Sequence, residues 1–433
     1  MNARSSSLER GAAAVLAGLG LAYVLTERRP DPWLLGWSQR WVALIVVGAA
    51  ACVLLLRSYA LEPRPWIVAT RRTLVACACA ILLLLLGVEA ALRAAESPAF
   101  HELDNSGRHA PDPDVGHVYV PNHRQVLQTR EYRVEWASNA QGVRGEHDIG
   151  AKPQGVTRIL CVGDSFTACD QVPYAESWPA VLERELTARL ASAGLQRTVE
   201  VVNAGFPGFS TANEAAWIAK FGARFAPDLV LVATTPNDLS ENQFPLQYTA
   251  RDGRMVSANA TEDDERRYEH RRQWWCVAGA LERSRLAQRV VASPAWSRLL
   301  GRPPFHHVEA YETPPSAKAV RLYELADRCM LAARDASTAL DARFGIVVIP
   351  YKRQLHEFER GLDGGAYAAH WTEFAARSAL PCVDARPRFL DDPDPAALFW
   401  REDNHCTAKG YALVAQAAAE LVWARRSELG WTP

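Results

Sequence analysis

The chain has 433 residues, 49% of them apolar, which is enough for a sizeable core and excludes a mainly disordered protein. Its formal charge of -1 is unevenly spread: residues 1–95 hold ten arginines, no lysine and five acids, a balance of +5 that leaves -6 for residues 96–433. A basic leading segment on an acidic body argues against nucleic-acid binding and for a membrane anchor.

Three charge-free apolar stretches, Gly11–Thr26, Trp41–Leu56 and Thr73–Val88, are each bounded by arginine or glutamate. They are shorter than the usual span of about 20 residues, but flanking tryptophans and snorkelling arginines extend them to the interface. They predict three transmembrane helices at about 11–26, 41–56 and 73–92, within a membrane-anchor domain covering residues 1–95. Glu27-Arg28-Arg29-Pro30 lacks the small residues of a signal-peptide cleavage site. Arg4, Arg10, Arg57, Arg64, Arg71 and Arg72 lie on one side of the membrane, against Arg28, Arg29, Arg40 and Arg93 on the other. The positive-inside rule then puts the N-terminus in the cytoplasm and residues 93–433 outside a multi-pass cytoplasmic (inner) membrane anchor. Spans without ionisable cores do not suit a transporter.

Residues 96–156 read as a small β-containing lead-in, with Tyr132, Val134 and Trp136 sharing one face of an alternating strand and a turn at 138–144. From 157 to 433 strands and helices alternate, which predicts a parallel sheet covered by helices on both faces. Residues 159–162 form a buried strand ending at Gly163, followed by Asp164 and Ser165. A helix from Ser177 carries Leu182, Leu186 and Leu190, then Val199–Val202 forms a strand. Thr211 and Glu214 suggest a capping box for a helix to about Phe225, and Asp228–Thr234 forms the third strand. Residues 246–318 interrupt the alternation with a hairpin at 250–255, a charged run and three tryptophans, an insertion that is either a lid or a solvated excursion. A helix from Ser316 to Phe344, a strand Gly345–Ile349 and a short strand from Cys382 resume the pattern, and Thr407 caps a final helix just after His405.

None of the nine cysteines shows zinc-site spacing, and His306-His307 lacks partner ligands, so no metal or other cofactor is expected. Lys352 follows the fourth strand at the sheet edge where ligands bind, either touching substrate or simply solvated. A serine at the carboxyl end of a strand suits a nucleophile, although Gly-Asp-Ser alone also makes ordinary turns.

Four blocks stand in order: Gly163-Asp-Ser165, Asn203-Ala-Gly-Phe-Pro-Gly208, Pro236-Asn237-Asp238 and Asp403-Asn-His405. Over roughly residues 157–425 this resembles the SGNH/GDSL hydrolases, and Asn139-Ala-Gln-Gly-Val-Arg144 in the lead-in is similar to the membrane-anchored bacterial members. The resemblance implies a flavodoxin-like doubly wound sheet and a serine esterase. Ser165 would attack an ester carbonyl, His405 would take its proton and Asp403 would orient the ring, with Glu402 as the alternate acid. The backbone N–H groups of Ser165 and Gly208 and the Asn237 amide would form the oxyanion hole. Thr235 stands where the third block usually begins with glycine. Cys169 and Cys406, beside nucleophile and base, are either disulfide-bonded or two separate thiols. The implied activity is hydrolysis of O-acyl esters on an acylated carbohydrate or lipid; alternatives are O-acyl transfer onto an envelope or exported polysaccharide, with the envelope polysaccharide machinery as partner, and non-catalytic binding or assembly.

Overall fold

In the computed structural model the described residues are 107–129, 131–246, 307–356, 358, 361–401 and 403–432, the backbone of short strands at 32–34, 37–38, 248–251 and 254–257, and isolated helical positions between 50 and 87. The chain divides into one unit of Met1–Phe100 with Thr261–Pro304 and another of His101–Ala260 with Phe305–Pro433. In the first, Pro32–Leu34 pairs antiparallel with Trp37–Ser38. Most of the three predicted spans and the insertion from 258 to 306 fall outside the described residues. Among the described residues no helix is long and apolar enough to cross a membrane.

The second unit is built on five parallel strands: β5 (Val156–Gly163), β6 (Thr198–Gly205), β7 (Leu229–Thr234), β10 (Arg343–Val348) and β11 (Cys382–Asp384). Their spatial order is β11-β10-β7-β5-β6, which in order of appearance is the 2-1-3-4-5 arrangement of a flavodoxin-like sheet. The strands are apolar without alternation because both faces are covered. Leu160 and Val162 of β5 enter one core while Ile159 and Cys161 enter the other, and Val230 and Val232 of β7 divide from Leu229, Leu231 and Ala233 in the same way. Each such buried aliphatic side chain contributes about 1.5–3 kcal/mol relative to an exposed one.

One face carries α3 (Thr211–Phe221) packed on α5 (Ala317–Thr338); the other carries α2 (Trp178–Ser192) packed on α8 (Ala408–Ala424). Short helices α1 (Ser165–Ala168) and α4 (Asp238–Glu241) follow β5 and β7, and α6 (Ala366–Arg377) and α7 (Arg386–Leu390) flank β11. Thus α6 and α7 occupy sequence for which no helix was expected.

Two boundaries differ from the sequence reading. The capping box of α3 is Ser210 with Asn213, one residue before Thr211 and Glu214, because the short Ser210 and Asn213 side chains bond each other and the first-turn N–H groups, leaving Glu214 buried on the core side. α5 stops at Thr338 instead of reaching Phe344: Asp341 adopts a left-handed turn (φ 57°), Ala342 N–H closes it on the Ser337 carbonyl, and Phe344 joins β10.

The segment before the sheet forms two hairpins, β1 (His109–Asp112) with β2 (Gly116–Tyr119) and β3 (Arg124–Gln128) with β4 (Arg133–Ala137). Tyr132, Val134 and Trp136 are buried in the same core as β5 and β7. Tyr119 stacks on Phe206 at 4.7 Å, and Arg144 bridges to Asn203 of β6, so the hairpins are built into the sheet's core. Within the insertion, β8 (Tyr248–Arg251) pairs with β9 (Arg254–Ser257).

Candidate active site

The doubly wound order places a topological switch between β5 and its neighbours, since β6 lies on one side and β7 on the other. The loops after all three strands therefore meet at one edge. Gly163 ends β5, and Asp164 caps α1 by accepting from Phe166 N–H at 2.8 Å. Strand ends and α1 approach closely: a Cβ on Gly163 would lie 2.1 Å from Thr167 Oγ1, and one on Gly205 would lie 2.1 Å from the Ala168 nitrogen. Glycine at both positions lets Ser165 stand at the tip, half-buried.

His405 reaches it from the loop before α8. Ser165 Oγ is 2.8 Å from His405 Nε2, and His405 Nδ1 is 2.5 Å from Asp403 Oδ1. With Nδ1–H donating to Asp403, Nε2 is left to accept the serine proton. The loop is held by its own backbone: Trp400 N–H donates to the His405 carbonyl at 2.8 Å and Thr407 N–H to the Leu398 carbonyl at 2.9 Å. Asn404 turns it in the left-handed region (φ 67°), and Thr407 caps α8. Phe166 lies 4.5 Å from the imidazole, ring to ring.

Burial opposes charge on His405, but its hydrogen bond to Asp403 and the charges of Asp403, Asp164 and Asp170 outweigh this and hold its pKa above 6.5. Burial pushes Asp403 up, and the bonds from His405 and Tyr132 more than reverse it, holding the carboxyl below 3.8. Glu402 lies outside the described residues.

Gly208 and Asn237 follow β6 and β7, on either side of Ser165, with Gly208 at φ 77°. The Asn237 amide is fixed at both ends: Tyr351 O–H donates to Oδ1 at 2.6 Å, and Nδ2 donates to Glu241 Oε2 at 2.8 Å. Burial lifts Glu241 to about 7. Thr235, in the place of the expected glycine, donates its hydroxyl to Asp164 Oδ2 at 2.7 Å and lies against Asn237 Oδ1.

Several groups lie elsewhere than on the reacting atoms. Lys352 donates to the Trp400 and Arg401 carbonyls at 3.0 and 2.8 Å, so it braces the histidine loop. Cys169 and Cys406 are both free and fully buried, and burial raises both thiols. His307 Nδ1 sits 2.9 Å from Ser240 Oγ, and His306 is outside the described residues. Among the described residues no group of three His, Cys, Asp or Glu converges as metal ligands.

Residues of the β3–β4 hairpin reach the acid. Tyr132 O–H donates to Asp403 Oδ2 at 2.7 Å, and Glu131 accepts from the N–H groups of Arg401 at 2.6 Å and Asp403 at 2.8 Å. Sequence reasoning assigned Tyr132 to a buried face and overlooked that a buried phenol needs a partner for its O–H.

A serine at the switch point of a parallel α/β sheet, on a histidine that is in turn on an aspartate, is the nucleophile–base–orienter arrangement of acyl-transfer chemistry. Residues 161–413, more than half of the chain, match the GDSL-like Lipase/Acylhydrolase family, and the chain belongs to that family. It is 29% identical over 109 residues to an arylesterase of Vibrio mimicus, covering 25% of this chain and 52% of that protein, so it spans about half the length of the curated relative it matches. Similar solved structures include a catalytic mutant of an acetylxylan esterase from Geobacillus stearothermophilus (14% identity, 61% of this chain and 94% of that one, TM-score 0.36). Another is the lipase/acylhydrolase from Enterococcus faecalis (16% identity, 62% and 96%, TM-score 0.34).

Proposed function

We propose that the protein is a serine-dependent O-acyl ester hydrolase, held by three N-terminal spans with its catalytic unit outside the cytoplasmic membrane. The observation that carries the chemistry is the Ser165–His405–Asp403 chain, at 2.8 and 2.5 Å, in a member of an acylhydrolase family. His405 takes the Ser165 proton as Oγ attacks the acyl carbonyl, and the N–H groups of Ser165 and Gly208 with the Asn237 amide receive the charge developing on oxygen. The protonated histidine then returns its proton to the departing alcohol, leaving an acyl-enzyme; His405 next takes a proton from water as it attacks the acyl carbon and gives that proton to Ser165 Oγ as the acyl–Oγ bond breaks. The basic, apolar first 95 residues support the anchor, and the anchor points to O-acylated envelope carbohydrate or lipid as the substrate class.

The test is labelling of the full chain with a fluorophosphonate probe beside Ser165→Ala and His405→Ala. Labelling lost in both variants supports the activated serine; a folded wild type that stays unlabelled removes it and leaves a binding or assembly role. Free acetate released from an O-acetylated oligosaccharide then marks hydrolysis, whereas acyl groups on an added acceptor mark transfer by the same residues.

A further inference from the structure

The hairpins that precede the sheet grip both halves of the site. Arg108 pairs with Asp170 at 2.8 Å, both side chains almost wholly buried, and Trp136 Nε1 donates to the other Asp170 oxygen at 2.8 Å. Arg144 donates to the Ala168 and Val172 carbonyls. These contacts fix the turn after α1 and so the serine side. On the histidine side, Tyr132 and Glu131 hold Asp403 and the backbone beside it.

We propose that Tyr132 is a positioning residue of the catalytic apparatus, holding one Asp403 oxygen so that the other stays aligned on His405 Nδ1. Oδ1 takes the imidazole and, at 3.3 Å, the His405 backbone N–H, while Oδ2 takes the phenol, its one hydrogen bond from outside the histidine loop among the described residues. Tyr132 is a committed donor, because burial and the neighbouring Asp403 raise its pKa and keep the phenol protonated. Its ring packs 5.4 Å from Trp400, and its backbone is held to Thr129 through the hairpin turn. Glu131 fixes the backbone of Asp403, leaving the carboxylate only side-chain rotation to be restrained. The proposal rests on the triad reading, but the tyrosine–aspartate link is measurable without turnover.

The experiment compares wild type, Tyr132→Phe, Asp403→Asn and the double variant in the full chain, reading fluorophosphonate labelling against pH, thermal unfolding and the His405 titration by NMR. The charged groups facing His405 are Asp403, Asp164 and Asp170, and Glu131 and Tyr132 stand behind Asp403. Tyr132→Phe keeps the ring packing and is expected to slow labelling about 10- to 100-fold, the range of one hydrogen bond to a charged group. It should also displace the His405 midpoint and, in the Asp403→Asn background, cost almost nothing further. A Tyr132→Phe protein that labels and titrates as wild type overturns the proposal, and so does an equal loss in both backgrounds. If the wild type does not label, the titration decides alone: a displaced midpoint supports the positioning role and an unmoved one rejects it.

Discussion

The Thr235 hydroxyl donates to the Asp164 carboxylate at 2.7 Å, tying the loop after β7 to the residue beside Ser165. Asp164 is fully buried, and burial raises its pKa against the opposing bonds from Thr235 and the Phe166 N–H. Threonine here adds a polar strut that glycine would lack, within reach of the Asn237 amide.

Thr235→Val keeps the shape and removes the donor, leaving one Asp164 oxygen without its threonine bond inside the protein. The cost is expected to be about 1–3 kcal/mol. Urea unfolding measures it, and an unchanged midpoint would show that the strut is idle.

The acid is tested by charge removal. Asp403→Asn is expected to lower kcat/KM by about 10³–10⁴-fold, as loss of an orienting aspartate does in other triads, while Glu402→Gln leaves it within about twofold. The reverse ranking would move the role to Glu402.

Activity should also fall on the acid side with a midpoint above pH 6.5, because the base works only as neutral imidazole and its negative neighbours raise its pKa. A limb at or below that value would contradict the environment described for His405.

Glu214 is fully buried, with no partner for either carboxyl oxygen among the described residues. Burial, Asp238 and Asp164 all raise its pKa well above 4.5. The folded state therefore holds a proton that the unfolded state releases, so this group's contribution is present at low pH and is lost as pH rises from 4.5 toward the raised value, at about 1.4 kcal/mol per pH unit. Glu214→Gln should flatten that slope and make the variant relatively more stable at pH 8 than at pH 5. Thermal melts across that range decide it.

Breaking the Arg108–Asp170 pair with Arg108→Met strands a buried charge and should cost about 3–5 kcal/mol, part of it recovered in Arg108→Met/Asp170→Asn, which removes the charge and keeps an acceptor for Trp136 Nε1–H. Chemical unfolding of the two variants separates the lost pair from lost packing.

The sheet was legible because its strands are continuous apolar runs; Ser165 and Asn237 were candidates because each follows a strand end, and His405 because it stands just before a capped helix. What escaped depends on contacts between distant segments. Nothing near Tyr132 in sequence announces Asp403, and nothing near Lys352 announces the Trp400 and Arg401 carbonyls it holds. α6 carries Tyr367, Trp371 and Phe374 at helical spacing but starts from Gly365 with no side-chain cap to mark it. The α3 cap was placed one residue late because Ser210 and Thr211 are both good caps.

The bonds from Tyr132 and Glu131 to Asp403 join positions 271 and 272 residues apart. Synthesis runs from the hairpins toward the histidine loop, so these partners meet only after every strand of the sheet has been made. Closing so long a loop is slow compared with forming the local hairpins. The proposed active site is thus among the last parts of the chain to assemble, and a nascent chain interrupted before residue 400 carries Ser165 without Asp403 or His405.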